Sequence, residues 1–459
     1  MQEFDLVVVG TGSGNMIPGP EFDDRSIAII EKGVFGGTCL NVGCIPSKML
    51  VYAADVVETI RHAANYGISA STDGVEWPSI VERVFGRIDP IAAGGERYRI
   101  EDCPNITVFK GQARFTGAKV LEVDGDVLTG RDIVLGAGAR PRVPSYAGLA
   151  DVPYDTSDTI MRIEGVPDRL LILGGGYIAA ELGHVFDAMG SDVTFVNRGD
   201  RLLRAEDIDI SRRFTQVMAR RFDLSLGSEV HQVWHDDDGF HCDLTCADLR
   251  FQVDADAVLV ATGRIPNGDL LDLDAAGIAH DNGRVLVDDH QRTNVEGVWA
   301  FGDLSNTYQL KHLANLEARV VAHNMLYPDD LWRTERALTP HAVFGSPPVA
   351  AVGLTEREAI DAGMPHITVR KDYATTAYGW AMEDHDGFVK LMVRRDTRQL
   401  AGAHIIGAQA PTLLQQLVQG MAFELTVDDM ARGMMYIHPA LTEVVENALL
   451  DAVDALGPA

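Results

Sequence analysis

FDLVVVGTGSG at residues 4–14 and RLLILGGGYIAAE at residues 169–181 follow one plan, in which a short apolar run ends in closely spaced glycines. A run of this length is typical of a buried parallel strand. Glycines directly after a strand let backbone N–H groups approach a pyrophosphate at the start of a helix. Each run is followed by a second apolar run, at residues 26–30 and 192–196. The sequence therefore predicts two nucleotide-binding units of the Rossmann type.

The first glycine turn fits the dinucleotide fingerprint in part. Gly10 and Gly12 are in place, and Glu31 stands about 20 residues further on, where a carboxylate can accept hydrogen bonds from a ribose. The third glycine position is Asn15, with Gly14 beside it. An ordinary glycine-rich turn between a strand and a helix is the alternative for this motif taken alone.

The second turn matches the fingerprint in its Gly/Ala form through Gly174, Gly176 and Ala179. The strand that follows it ends without the acid that NAD sites use, and Arg198 and Arg204 come directly after it. Guanidinium groups bind phosphate well, which favours NADP(H) with its 2′-phosphate. A solvated cluster of surface arginines is the alternative.

A pair of cysteines follows the first unit in GGTCLNVGCIPSK, residues 36–48. Cys39 and Cys44 are five positions apart, which on an ideal helix is about 7.5 Å along the axis. A disulfide between them needs a bent segment, which Gly43 would permit, and a strained bridge is easily reduced. Two buried thiols or half of a metal site are the alternatives. No neighbouring cysteine or histidine completes a zinc tetrad, so no metal is expected.

The composition excludes several classes of protein. Asp and Glu number 67 against 39 Lys and Arg, for a net charge of −28, which repels nucleic acid and anionic membrane surfaces. No apolar run reaches the roughly 18 residues of a membrane span, and the first residues lack the basic region of a secretory signal. Five sparse cysteines do not resemble a secreted disulfide scaffold. A cytoplasmic protein with neither nucleic acid nor membrane as partner is expected.

Over essentially its full length the chain resembles the flavin-dependent pyridine nucleotide–disulfide oxidoreductases. The cysteine block, ATGR at residues 261–264, FGD at residues 301–303 and HPALTE at residues 438–443 occur in family order. This combination is far more specific than a glycine motif. The resemblance implies an enzyme with FAD and NADPH as cofactors, NADH being possible, and a small-molecule disulfide as substrate.

The family plan also implies the domain order. We expect an α/β fold with two Rossmann-like dinucleotide-binding domains and a C-terminal α+β dimerisation domain. The first part of the FAD-binding domain, with the cysteine pair, is expected at 1–146, the NADPH-binding domain at 147–263, the second part of the FAD-binding domain at 264–332 and the dimerisation domain at 333–459.

Residue by residue, the resemblance implies a redox disulfide between Cys39, which attacks the substrate, and Cys44, which lies next to the flavin. Lys48 would pair with Glu181 near the flavin, and Tyr177 would cover the nicotinamide pocket. The catalytic residues implied are Cys39, Cys44, His438, Glu443, Lys48 and Glu181. The cofactor-binding residues implied are Gly10, Gly12, Gly14, Glu31, Gly37, Thr38, Lys48, Gly138, Asp303, Gly174, Gly176, Tyr177, Ile178, Arg198, Arg204 and Gly263.

The C-terminal motif suggests how a proton could be supplied. A histidine near its ordinary pKa can protonate a leaving thiolate, and Glu443 could orient the ring of His438. Pro439 is predicted as the first residue of a helix, which would place His438 at its N-cap. A capping histidine without a catalytic function is the alternative. In the family this pair reaches the cysteines of the other subunit, so the resemblance implies a homodimer with shared active sites.

Within the family, two segments resemble the subgroup that acts on mycothione. They are GTGSGN at residues 10–15, followed by Pro18 and Pro20, which must shorten the first helix, and AYGWAMED at residues 377–384. The implied reaction is the NADPH-dependent reduction of mycothione to mycothiol. Reduction of glutathione disulfide or bis-γ-glutamylcystine is the main alternative. A lipoamide dehydrogenase and a non-enzymatic flavoprotein are less favoured.

Overall fold

The computed structural model describes residues 1–458 and begins with a mixed sheet whose first strand is buried from Leu6 to Val9. The first sheet has the strand order β3-β2-β1-β6-β5-β4, in which β1 pairs in parallel with both β2 and β6. The elements of this first unit are β1 (Gln2–Val9), β2 (Ile27–Glu31), α1 (Gly37–Asn41), α2 (Cys44–Arg61), α3 (Trp77–Arg97), β3 (Ile106–Lys110), β4 (Arg114–Gly117), β5 (Val120–Val123), β6 (Asp126–Leu135) and β7 (Ala139–Pro141).

Between β1 and β2 the chain forms two 3-10 turns, Ser13–Met16 and Pro20–Phe22, in place of a full crossover helix. The prolines of this segment predict that shortening, because a proline inside a helix removes a backbone hydrogen bond and clashes with the preceding turn. Arg99 holds the segment in place. Its Nε donates to Asn15 Oδ1 at 2.9 Å, and its Nη2 donates to the Asn15 carbonyl at 2.8 Å.

The second unit repeats the parallel plan and adds an antiparallel sheet. Its parallel strands have the order β10-β9-β8-β14, and β11-β12-β13 form the separate antiparallel sheet. Helix α4 is almost wholly buried and packs on α2 of the first unit. The elements are β8 (Arg169–Leu173), α4 (Tyr177–Met189), β9 (Asp192–Asn197), α5 (Ile208–Met218), β10 (Asp223–Leu226), β11 (Glu229–Asp236), β12 (Gly239–Cys246), β13 (Leu249–Ala255) and β14 (Ala257–Val260).

After the second unit the chain returns to the first sheet. β15 pairs with β7, and β18 pairs in parallel with β6, which places the start of α6 beside the first glycine turn. The elements of this return segment are β15 (Arg264–Pro266), β16 (His280–Asp281), β17 (Arg284–Val285), β18 (Val298–Ala300) and α6 (Lys311–Leu326).

The C-terminal unit is an antiparallel sheet in the order β19-β20-β23-β22-β21, with helices packed on it. The sequence pattern predicts strands at 341–354 and 387–393 followed by helices, and the observed sheet is larger than that. The half-exposed β21 has too weak an alternation to be predicted. The elements are β19 (His341–Val343), β20 (Val349–Gly353), α7 (Glu356–Asp361), β21 (His366–Asp372), α8 (Ala377–Ala381), β22 (Phe388–Arg394), β23 (Leu400–Ile406), α9 (Ala410–Ala422), α10 (Val427–Arg432) and α11 (Thr442–Leu456).

One helical stretch, Gly37–Arg61, is long and apolar enough to span a membrane by length and composition, with a mean hydropathy of 1.2. Core helices of soluble proteins meet the same criteria. Leu50 and Ala54 on its inner side are fully buried in a cluster that also contains residues of α4. This stretch therefore packs as part of the protein core.

Lys390 joins the second unit to the C-terminal unit through buried charges. Its side chain is 1% exposed, and its Nζ donates to Asp207 Oδ1 at 2.8 Å, Asp209 Oδ2 at 2.6 Å and Glu356 Oε2 at 2.7 Å. Burial opposes the ionisation of Asp207. The hydrogen bonds from Lys390 and from the Glu356 backbone N–H, with the nearby positive charges, together outweigh burial and hold the pKa of that carboxyl below its ordinary value.

We predict that Lys390→Met lowers the free energy of unfolding by about 3–5 kcal/mol, because it leaves buried carboxylates without their cation. The matched control is Lys371→Met, which removes a partly exposed pair with Asp451 and should cost less than about 1 kcal/mol. Thermal unfolding of the three proteins measures the difference, and equal melting temperatures would contradict the prediction. Because the folded-state pKa of Asp207 is depressed, its contribution is present at neutral pH. It is lost as the pH falls through that folded-state pKa.

Candidate active site

A cavity of about 1920 Å³ extends from the first glycine turn past the cysteine pair to the second nucleotide-binding unit. It brings together most of the residues that the sequence indicates as functional. Those that line it are Gly10, Gly12, Glu31, Gly37, Thr38, Cys39, Cys44, Lys48, Gly138, Gly176, Tyr177, Ile178, Glu181, Arg204 and Asp303. The predicted residues that are absent from its lining are Gly14, Gly174, Arg198, Gly263, His438 and Glu443.

The first glycine turn is packed so closely against neighbouring backbone that Gly10 has no space for a side chain. Gly10 has a φ of +96°, and a Cβ there would lie 2.4 Å from the Gly136 carbonyl oxygen. A Cβ on Gly37 would lie 2.7 Å from the Cα of Gly12. Such close approach leaves backbone N–H groups open to a pyrophosphate, so this cradle fits FAD.

Asn41 supports the same wall of the cavity. Its Nδ2 donates to the carbonyls of Phe35 at 2.8 Å and Gly37 at 3.0 Å. Its Oδ1 is buried and has no hydrogen-bond partner within residues 1–458. A buried acceptor without a partner costs free energy, and a donor from a bound group would satisfy it.

Glu31 fixes the first turn from the end of β2. Its Oε2 accepts hydrogen bonds from the backbone N–H of Thr11 at 2.9 Å and from the Thr11 hydroxyl at 2.6 Å. Its Oε1 accepts from the backbone N–H of Gly33 at 2.8 Å. The carboxylate lines the cavity with lone pairs to spare, and its contact with a ribose stays a prediction.

Asp303 reaches the cavity from a turn that a buried ion pair holds. Glu317 is fully buried, and its Oε2 accepts from the Gly302 N–H at 2.7 Å and from Asn306 Nδ2 at 2.8 Å. Arg336 Nε donates to Glu317 Oε1 at 3.1 Å. Burial raises the pKa of both Asp303 and Glu317. Sequence reasoning missed Glu317 and Arg336, because an acid within a helix carries no local sign that it is buried.

The cysteine pair lies where the helix is broken. α1 ends before α2 begins at Cys44, and a Cβ on Gly43 would lie 2.8 Å from the Thr38 carbonyl oxygen. Only glycine allows this close approach, which brings the start of α2 back toward Cys39. Both cysteines are free thiols, so the structure represents the reduced form of the pair.

The two thiols have different electrostatic surroundings. The neighbouring Cys39 thiol and then the Lys48 ammonium favour the thiolate of Cys44, and they lower its pKa to about 7 against the effect of burial. Beside that thiolate, the pKa of Cys39 is raised, because it donates its hydrogen toward Cys44 and is itself buried. The first proton therefore leaves the pair from Cys44.

Lys48 and Glu181 form the expected ion pair across the cavity, with Lys48 Nζ 2.6 Å from Glu181 Oε2. The Glu181 side chain is 5% exposed, and its Oε1 accepts from the backbone N–H of Phe344 at 3.0 Å. The Lys48 ammonium also lies 4.9 Å from the centre of the Phe344 ring. These contacts hold a positive charge next to Cys44.

The second glycine turn has the geometry of the first. Gly174 has a φ of +137°, and a Cβ there would lie 2.3 Å from the Ala261 carbonyl oxygen. Gly174 therefore shapes the turn from behind, while Gly176 caps α4 and lines the cavity. Tyr177, the first residue of α4, is 43% exposed and faces the cavity.

Arginines surround the end of β9. Arg198 and Arg204 are both exposed, and Arg204 lies on the cavity rim. Asn197 shapes this loop, since its Nδ2 donates to the carbonyls of Gly199 and Arg201 at 3.1 Å each. Arg204 Nε lies 3.9 Å from Asp200 Oδ1 in an exposed ion pair. Such a pair is weak in water, so both guanidinium groups stay accessible to a phosphate.

His438 and Glu443 pair with each other but lie apart from the cysteines of the same chain. His438 Nδ1 donates to Glu443 Oε1 at 2.6 Å, and the His438 side chain is 72% exposed. Helix α11 begins at Thr442, so the prediction that Pro439 opens the helix was wrong. The backbone instead turns at residues 438–441 before the helix, and the Glu443 N–H in the first turn of the helix donates to the Ala440 carbonyl.

Two nucleotide cradles that meet at a thiol pair define an oxidoreductase in which electrons pass between a dinucleotide and a dithiol. The family model for the pyridine nucleotide-disulphide oxidoreductases matches residues 4–318. The model for the dimerisation domain of the same family matches residues 339–449. The chain belongs to the pyridine nucleotide-disulphide oxidoreductase family, as its motifs indicate. It is an FAD-dependent enzyme that uses a nicotinamide dinucleotide, and its dimerisation domain supports a homodimer.

Among known proteins, the chain is similar to mycothione reductase of Mycobacterium tuberculosis, with 48% identity over 98% of this chain and 99% of the relative. It is 31% identical to glutathione reductase of Burkholderia cepacia, over 96% of this chain and 97% of the relative. Among solved structures, the HOCl-induced flavoprotein disulfide reductase RclA of Escherichia coli is similar, with a TM-score of 0.84 and 26% identity. That match covers 97% of this chain and 99% of the other.

We predict that Gly10→Ala weakens the binding of FAD. A positive φ costs a residue with a Cβ about 1–2 kcal/mol, and the clash with Gly136 adds to this, so affinity should fall by about tenfold or more. The matched control is Gly94→Ala, where a Cβ meets open space. The ratio of flavin absorbance to protein after gel filtration measures FAD retention. Equal retention by both variants would contradict the prediction.

Proposed function

We propose that the enzyme catalyses the NADPH-dependent reduction of mycothione, a low-molecular-weight disulfide, to mycothiol. The observation that carries the reaction class is the free pair of Cys39 and Cys44 beside Lys48, in the cavity that both nucleotide cradles reach. The substrate is supported by the 48% identity, over nearly the whole chain, to a relative named mycothione reductase. Glutathione disulfide is the second candidate, because a glutathione reductase is 31% identical.

We assign residues 1–146 and 264–332 to the FAD-binding domain, 147–263 to the NADPH-binding domain and 333–459 to the dimerisation domain. The return of β18 to the first sheet supports the split of the first domain. Gly10, Gly12 and Asp303 would hold FAD. Bound FAD would supply the two-electron chemistry that links the nicotinamide dinucleotide to the thiol pair. Reduced thiols are stable in the cytoplasm, where we place the enzyme.

In the first half of the reaction, Cys39 attacks one sulfur of the substrate disulfide as a thiolate. A new bond forms between Cys39 Sγ and that sulfur, and the bond between the two substrate sulfurs breaks. The first thiolate product leaves and takes up a proton. We assign the attack to Cys39 from its place in the family motif. The Lys48 ammonium favours the thiolate of Cys44, which supports Cys44 as the sulfur that attacks second.

In the second half, the Cys44 thiolate attacks Cys39 Sγ. A disulfide forms between the two cysteines, and the second thiolate product leaves with a proton from the medium. One substrate disulfide has then become two thiols, and the pair has been oxidised by two electrons. The lowered pKa of Cys44, about 7, keeps this sulfur ready for attack at neutral pH.

We assign proton donation to His438 of a second copy of the chain. In its own chain His438 is exposed and lies outside the lining of the cysteine cavity. The segment around it is apolar as well, with Met435 98% exposed and Ile437 73% exposed. A second copy that covers this segment would bury it and could bring the imidazole to the leaving sulfur.

We predict that mycothione has the highest kcat/KM in a panel with glutathione disulfide and bis-γ-glutamylcystine, by about tenfold or more. Steady-state oxidation of NADPH measures each value. Cys39→Ser should lose turnover of every disulfide, whereas Cys246→Ser, which changes a thiol of the second unit, should keep it. A clear preference for glutathione disulfide would overturn the substrate assignment, and turnover by Cys39→Ser would overturn the mechanism.

We predict that Arg198→Ala and Arg204→Ala each raise the KM for NADPH by about tenfold, because a charged hydrogen bond to the 2′-phosphate is lost. The KM for NADH should change by less than about twofold, since NADH lacks this phosphate. The control is Arg357→Ala, whose side chain is 80% exposed on α7. If the ratio of the two KM values stays constant, the assignment of the 2′-phosphate site is wrong.

A further inference from the structure

A second lysine, Lys311, lines the same cavity as Lys48. It is the first residue of α6, and its Nζ donates to Ser13 Oγ at 3.0 Å. Ser13 is 7% exposed, and its hydroxyl donates in turn to Asn315 Oδ1 at 2.8 Å. Lys311, Ser13 and Cys39 all line the cavity. The ammonium is therefore held by Ser13 in the cavity that also contains the thiol pair.

The position of Lys311 runs against the preference of its helix. The N-terminus of a helix carries partial positive charge, which favours acids in the first turn. The first turn of α6 has Lys311 and His312 and contains no acid. A lysine here costs helix stability, and residues that break a local rule in this way are often kept for function.

The charged groups around the two cysteines divide between the two sulfurs. Cys44 and burial raise the pKa of Cys39, and the charge of Lys311 acts against them. The charge of Lys48 lowers the pKa of Cys44. The other ionisable groups that face this part of the cavity are Glu181, Tyr177, Asp303 and Arg264. The charges of Arg264 and Lys311 also act on Asp303 and oppose the rise in its pKa that burial causes.

We propose that Lys311 is a positioning residue that stabilises the negative charge on Cys39 when this sulfur becomes the attacking thiolate. The proposal rests on the proposed function and deepens it. The two cysteines share one proton, and each lysine favours one of the two states in which that proton can lie. With one proton on the pair, Lys48 favours the state in which Cys44 is the thiolate. Lys311 lowers the free energy of the state in which Cys39 is the thiolate.

The protons of the reaction balance when one proton is taken up from the medium. The proton passes from Cys39 Sγ to Cys44 Sγ, and the Cys39 thiolate forms its bond with the substrate sulfur while the substrate disulfide breaks. The leaving thiolate takes a proton from His438 of the second copy, and the imidazole regains that proton from the medium. Cys44 then releases the transferred proton before it attacks Cys39, and the second thiolate product takes up an equal proton. Lys311 gives up no proton and acts by its charge.

The test measures the reactivity of Cys39 directly. The holoenzyme is reduced with NADPH without oxygen and treated with iodoacetamide between pH 6 and pH 9, and mass spectrometry of the Cys39 peptide follows alkylation. We expect Lys311→Met to slow alkylation of Cys39 at pH 7 by about tenfold and to move its pH profile about one unit higher. Lys311→Arg should restore most of the rate, because it keeps the charge.

Lys371→Met is the matched control, since it removes a lysine of the C-terminal unit and should leave the alkylation of Cys39 unchanged. If Lys311→Met does not retain FAD, Ser13→Ala replaces it, because this change frees the ammonium from its hydroxyl partner and should slow alkylation in the same direction. Alkylation at the wild-type rate in either variant would overturn the proposal, as would a Lys311→Arg variant as slow as Lys311→Met.

These outcomes are separate from a failure of the proposed function. If the wild-type enzyme reduces no disulfide of the panel, the proposed function fails, whatever the alkylation rates are. If the wild-type enzyme reduces disulfides but Lys311→Met leaves the reactivity of Cys39 unchanged, the role of Lys311 alone fails.

Discussion

The short break between α1 and α2 is the constraint on which the site depends. Gly43 lets the backbone fold back against Thr38, and this contact brings Cys44 at the start of α2 near Cys39 in the middle of α1. The remainder of α2 is anchored in the core, where it packs on α4. That packing carries Lys48 to Glu181, so the thiol pair and its cation are fixed by the same helix contact.

The cavity carries positive charge although the protein as a whole is strongly acidic. The net charge is −28, yet the cavity wall carries Lys48, Lys311 and Arg204. Charge placed within a cavity of low dielectric acts more strongly than charge on the open surface. Glu31, which lines the cavity, is meanwhile held by backbone N–H groups, and the buried Glu317 behind the Gly302 turn is held by a backbone N–H and an arginine. Thiolates, phosphates and a reduced flavin all gain from this arrangement.

Local patterns predict the fold and the thiol pair well, for physical reasons. Strands β1 and β8 are buried on both faces, so they read as unbroken apolar runs, and Gly10 and Gly174 follow them at the turn that only glycine allows. Pairings between distant segments leave no such sign. The support of Asp303 by Glu317 and Arg336, and the contact of Lys311 with Ser13, join residues far apart in the chain. The start of α11 differs from the prediction because a turn comes between Pro439 and the helix.

The central claim is that electrons from NADPH reach the thiol pair of Cys39 and Cys44. The chain has five cysteines, and the count of free thiols in denatured protein measures the claim directly. The account predicts three free thiols per chain in the oxidised enzyme, and five after reduction by one equivalent of NADPH without oxygen. A count that NADPH leaves unchanged would contradict it.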